Sequence, residues 1–178
     1  MNATKLFFLA CVASLAWLSG PVALAQVPGP APEHAKLKET EGTWNFILKS
    51  SDGSEGKGIS VNKLECGGLW LVCDFKTDFG GMPFQGKGLD GYDPAKKKYV
   101  SVWVDSFTPA PMIFEGNYDA TGKILEMISQ APGPDGKPAT WRSVTTWKSA
   151  DEHTFEMFLK SEGAAEQSMM VVTYRRAK

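Results

Sequence analysis

From about residue 42 onward, apolar and polar residues alternate with a period of two, in short runs. Leu69, Leu71, Cys73 and Phe75 fall on one face of a run whose other face carries Asp74, Lys76 and Asp78, as in a half-buried β-strand. Phe155, Met157 and Leu159 alternate in the same way with Thr154, Glu156 and Lys160. Two further runs are mixed: Tyr99, Ser101, Trp103 and Asp105 lie opposite Val100, Val102 and Val104, while Trp141, Ser143, Thr145 and Trp147 lie opposite Arg142 and Val144. A face that combines aromatic rings, hydroxyls and a carboxylate lines a cavity or packs beneath a loop or helix, and the pattern alone fits both.

Turn residues separate these runs at short intervals. They occur at Ser51-Asp52-Gly53, Gly67-Gly68, Gly80-Gly81, Asp93-Pro94, Pro109-Ala110-Pro111, Asp119 with Gly122, Pro134-Asp135-Gly136, Ala150-Asp151-Glu152 and Glu162-Gly163. Short strands with closely spaced turns predict an antiparallel meander, closed into a barrel or folded into a sandwich. The only helical expectation after residue 25 is one or two turns over 33–39.

The N-terminus has a different composition. Lys5 precedes an apolar run over 6–18, and Ala23-Leu24-Ala25 forms a small-x-small site before Gln26. These are the parts of a secretory signal peptide, cleaved after Ala25. The run is shorter than the roughly 18 to 20 apolar residues of a membrane-spanning helix. The sequence therefore predicts a signal peptide (1–25), a Pro-rich lead-in (26–33) and one β-domain (34–178), located in the periplasm or secreted, with no stable membrane insertion. Lys5 is the only charged residue removed, so the mature chain has 18 Lys and Arg against 20 Asp and Glu. That slightly acidic, interspersed balance gives no footing for nucleic acid. Lys96-Lys97-Lys98, after Asp93-Pro94, is expected at a solvated hairpin tip.

Several motifs carry no chemistry. Gly86-Lys87-Gly88-Leu89-Asp90-Gly91 matches G-x-G-x-x-G, but a turn and another strand follow where a dinucleotide site needs a helix. Cys66 and Cys73 flank a predicted hairpin too unevenly for a disulfide, so two small buried thiols are expected, and with only two histidines they form no zinc pattern.

Gly42-Thr43-Trp44, after the short helical segment, looks like the Gly-x-Trp opening of lipocalin-like (calycin) barrels, and Arg175 or Arg176 is placed to pack over that Trp. Gly67-Gly68-Leu69-Trp70, Gly81-Met82-Pro83-Phe84-Gln85-Gly86, Gly91-Tyr92-Asp93, Trp103-Val104-Asp105 and Thr173-Tyr174-Arg175-Arg176 follow in order. Over roughly 34–176 the set resembles domain-of-unknown-function family 1579. The resemblance implies an all-β, antiparallel up-and-down β-barrel of about ten strands with a short N-terminal helical segment, and it implies no activity. Related barrels of the nitrobindin type hold haem through a histidine, but His34 falls in the lead-in segment and His153 in a turn, so no cofactor is expected.

The candidate cavity residues are Tyr99, Trp103, Asp105, Phe114, Glu126, Trp141, Arg142 and Trp147. Asp105 and Glu126 form an acid-base pair if both point inward, and Arg142 beside Asp105 makes a buried ion pair. Three functions stay open: a binding module for a small apolar or amphipathic molecule, a hydrolase or isomerase using the same cavity, and a non-catalytic envelope protein with a filled barrel. Binding is favoured, because a cavity needs only surface whereas catalysis needs placed groups. The sequence assigns no catalytic residue, no metal and no oligomeric state.

Overall fold

In the protein's computed structural model, residues 29–79 and 81–178 are described; the signal-peptide expectation over 1–25 lies outside them. A 3-10 turn (Pro32–His34) runs into helix α1 (Ala35–Thr40). Ten strands follow: β1 (Gly42–Ser50), β2 (Glu55–Glu65), β3 (Trp70–Phe79), β4 (Met82–Asp93), β5 (Lys98–Asp105), β6 (Met112–Tyr118), β7 (Ile124–Pro132), β8 (Pro138–Ser149), β9 (Glu152–Ser161) and β10 (Gln167–Arg176). Each pairs antiparallel with its sequence neighbour, and β1 pairs with β10 to close the barrel. Closure leaves no sheet edge open to pairing with another chain. Every connection falls at a turn read from the sequence; Gly53 and Gly136, for example, take the positive φ values (86° and 76°) that tight turns require.

One end of the barrel is covered by α1. Leu37 packs into a core of Leu71, Tyr99, Phe114, Met127 and Met157, and the Tyr99 hydroxyl donates to the Glu33 carbonyl at 3.0 Å. Among the described residues no helix covers the other end, where Phe107 on the β5–β6 connection packs edge-on against Phe84.

The Gly-x-Trp resemblance takes physical form at the covered end. Trp44 has no exposed surface, and its indole N–H donates to the Thr40 carbonyl at 3.0 Å. Of the two arginines, Arg176 stacks over its ring, 4.2 Å from the centroid. Arg176 also donates to the carbonyls of Glu39, Glu41 and Ala150, tying helix, strand and hairpin together. Arg175 points outward to Glu152.

The glycines of the G-x-G-x-x-G stretch make room for indoles. A Cβ on Gly86 would lie 2.2 Å from Trp103, and one on Gly91 would lie 2.7 Å from Trp70. Among the described residues Cys66 and Cys73 are free; Cys73 faces inward, whereas Cys66, expected to be buried, is exposed in the β2–β3 turn. Lys97 is exposed at the β4–β5 tip, and its neighbours Lys96 and Lys98 pair with Glu115.

Candidate functional site

Strand register fixes which side chains enter the barrel. The inward set on β3, β4 and β5 includes Cys73, Asp90 and Ser101, with Asp90 directly between Leu71 and Ser101 on its flanking strands. On β6 and β10 it includes Tyr118 and Tyr174, and on β8 and β9 Thr145 and Phe155.

These inward residues divide by exposure. Leu71 and Val172 are 2% exposed and Phe114 is 4% exposed, so a strand's own backbone leaves almost no surface once the side chain is packed. Cys73, Asp90, Ser101, Tyr118, Thr145, Phe155 and Tyr174 point the same way but remain half-buried. By register these half-buried residues lie in the half of the barrel nearer α1, and the two aromatic-rich clusters that share Phe155 and Met170 flank this part of the barrel interior.

The polar groups around it are unevenly matched. The Ser60 hydroxyl donates to the Asn62 amide oxygen at 3.0 Å and lies 3.3 Å from the Cys73 sulfur. Asp90 has Ser101 alone, with no cation beside it among the described residues. Burial pushes its carboxyl up to about 6, and the Ser101 hydroxyl offsets only part of that. Burial likewise pushes the Cys73 thiol up to about 11, the Tyr118 phenol to about 12 and the Tyr174 phenol well above the usual range. Asp90 is therefore the one group here that carries charge at neutral pH.

A match to the family described as "Protein of unknown function (DUF1579)" covers residues 29–176, nearly all of the described chain. The chain belongs to the DUF1579 family. Among solved structures, Rv2717c from M. tuberculosis is similar at 16% identity, with a TM-score of 0.58 over 84% of this chain and 99% of that one. The S-type phycobiliprotein lyase CPES from Guillardia theta gives 10% identity and a TM-score of 0.54, again over 84% and 99%. EF1p2_mFAP2b bound to DFHBI aligns at 14% identity and a TM-score of 0.46, over 81% and 98%. At these identities the likeness is one of fold. A search of curated proteins returns no match.

Six of the eight cavity residues expected from the sequence point into the DUF1579 barrel, in varied roles. Tyr99 and Phe114 are buried core. Trp103 lies over Gly86 and Gly88 and donates its indole N–H to Asp105 at 2.9 Å. Asp105, at the uncovered rim, also accepts from the backbone N–H groups of Phe107 and Thr108, so its carboxylate holds a loop. Trp141 is half-buried and donates to the Pro132 carbonyl. Trp147 packs at the covered end against Trp44 and His153.

Glu126 and Arg142 are corrections. Both lie on the outer wall, where Arg142 pairs with Glu126 at 3.2 Å and Glu166 at 2.5 Å and stacks over Phe158. Glu126 shares its face with Ile124 and Ile128, and those isoleucines are exposed, so the Ile-rich side of β7 is the outside. The Asp105–Glu126 acid-base pair and the Arg142–Asp105 ion pair therefore do not form.

His153 is a further correction. It lies inside β9, opposite Trp147 and Tyr174, rather than in a turn. Its ring stacks on Tyr174 at 4.6 Å and meets Trp44 edge-on at the same distance. Burial, helped by the nearby Arg176 charge, lowers its pKa to about 4, and its Nδ1 has no hydrogen-bond partner among the described residues. Packed between rings on several sides, it belongs to the covered-end core. His34 is held locally, with Nδ1 3.2 Å from the Ala31 carbonyl.

Asp90, Cys73, Tyr118 and Tyr174 are absent from the cavity candidates read from the sequence. A signal for Asp90 exists in the β4–β5 turn: counting back from Asp93 opposite Lys98 places Asp90 opposite Ser101, on the face already read as mixed.

Proposed function

We propose that the protein is exported and holds a small apolar or amphipathic molecule inside its barrel. The observation behind this is the set of inward side chains that keep accessible surface while their packed neighbours keep almost none. In a barrel filled by its own side chains, inward residues away from its ends would be close-packed and buried. Pockets of this composition, mostly aromatic and aliphatic with a few polar groups, suit small ligands. The shared fold supplies only the shape, and the side chains of this chain supply the chemistry. Binding fits better than catalysis because the carboxylate pair that a hydrolase or isomerase would have used is divided between the inside and outside of the wall.

Native mass spectrometry of the protein recovered from a periplasmic fraction tests both halves of the proposal. The expected result is a polypeptide beginning at Gln26 that carries a small-molecule mass, released on denaturation. A bare polypeptide would count against a tightly held ligand, and an uncleaved N-terminus would count against export.

A further inference from the structure

Asp90 points into the barrel from β4, level with Leu71 on β3 and Ser101 on β5, and makes no ion pair among the described residues. Charges this deep are ordinarily paired, because desolvating a lone ion costs several kcal/mol. The inward titratable groups that feel its charge, Cys73 on β3, Tyr118 on β6 and Tyr174 on β10, keep their protons at pH 7, and Ser101 on β5 carries no charge. His153 on β9, stacked on Tyr174, is neutral there as well. The described part of the protein thus supplies the anion and the aromatic surface of an ion-pair site and leaves out the cation.

We infer that the interior site takes the protonated amine end of an amphipathic small molecule, with Asp90 as its counter-ion and the phenol rings of Tyr118 and Tyr174 beside it. This rests on the proposed binding function and narrows it to a substrate class. An ammonium replaces the missing countercharge, and nearby ring faces favour it further. A ligand ending in a carboxylate is disfavoured by like charge, and a neutral alcohol gains only an ordinary hydrogen bond. The apolar remainder of the molecule lies against Phe155, Met170 and Trp103, which lead toward the uncovered end.

The test is displacement of N-phenyl-naphthylamine, a neutral fluorescent probe, by three ligands sharing one apolar body: phenylbutylamine, phenylbutanol and phenylbutyrate. On the wild-type protein slightly above neutral pH, the amine should bind roughly tenfold or more tightly than the alcohol, with the carboxylate weakest. Asp90→Asn should remove the preference for the amine while leaving the alcohol almost unchanged. Lowering the pH to about 5, where Asp90 takes up a proton, should shrink the amine's advantage in the wild type alone. Equal affinities for amine and alcohol, or an amine preference that survives in Asp90→Asn, would overturn the inference and leave the binding function standing. Failure of the probe and all three ligands to bind would overturn both.

Discussion

Asp90→Asn should make the protein more stable at pH 7, by on the order of 2 kcal/mol, and should leave its stability near pH 4 almost unchanged. The folded-state pKa of Asp90, about 6, lies above the ordinary 3.8. The ionised side chain therefore opposes folding at neutral pH, and that penalty disappears as pH falls from about 6 toward 3.8. His153 behaves in the opposite sense. Its folded-state value of about 4 lies below 6.5, so its contribution is intact above pH 6.5 and is lost as pH falls toward 4, by roughly 3 kcal/mol. The two windows overlap, and in the wild type they largely cancel. In Asp90→Asn only the His153 loss remains, so stability should fall more steeply with acid than in the wild type. Surface carboxylates held below their usual range, Asp74 beside Lys87 among them, contribute equally to both proteins. Urea midpoints measured across this pH range decide the matter. A variant that is no more stable at pH 7, with an unchanged slope, would show that Asp90 is solvated like a surface residue.

The second large effect is expected at Trp44. Trp44→Ala should destabilise the protein by about 4 kcal/mol, in line with removing a fully buried large ring. The loss extends past the cavity it leaves. The Thr40 carbonyl keeps only the Asn62 amide as a donor, the Arg176 guanidinium loses the ring beneath it, and His153 loses an edge-on neighbour. Because Arg176 ties the end of α1 to the β8–β9 turn, the covered end should loosen as a unit. Thermal or urea denaturation reads the change directly, and a loss below about 1 kcal/mol would mean that this end contributes little to stability.

The sequence carried the architecture far better than the site. Turn residues punctuate the chain between every pair of strands, and alternation separated inner from outer residues on β3 and β9, whereas on β5 and β8 it grouped the two faces without deciding which was inner. It failed on β7, where Ile124 and Ile128 face out while Leu125 and Met127 face in. With apolar residues on both faces the phase is ambiguous, and a one-residue slip moves every side chain across the wall. Glu126 was misplaced for that reason. Arg142 was drawn inward by Asp105, although two outer glutamates and Phe158 satisfy it. On β4 the difficulty was different: Gly86, Gly88 and Gly91 have no side chains to set a phase, so Leu89 and Asp90 could not be told apart as outer and inner. The register shows Leu89 outside, 44% exposed, and Asp90 within. His153 was hidden by its position one residue into a strand, next to turn residues.

The central claim is that the space inside the barrel is open to a ligand. A titration with N-phenyl-naphthylamine, run on the wild type and on Thr145→Phe, addresses it most directly, since Thr145 points inward from β8 and remains half-buried. Saturable binding of one probe per chain to the wild type, weakened roughly tenfold or more in a folded Thr145→Phe, is the predicted result, because the added ring occupies the space the probe needs. Absence of saturable binding, or equal binding by the two proteins, would contradict it.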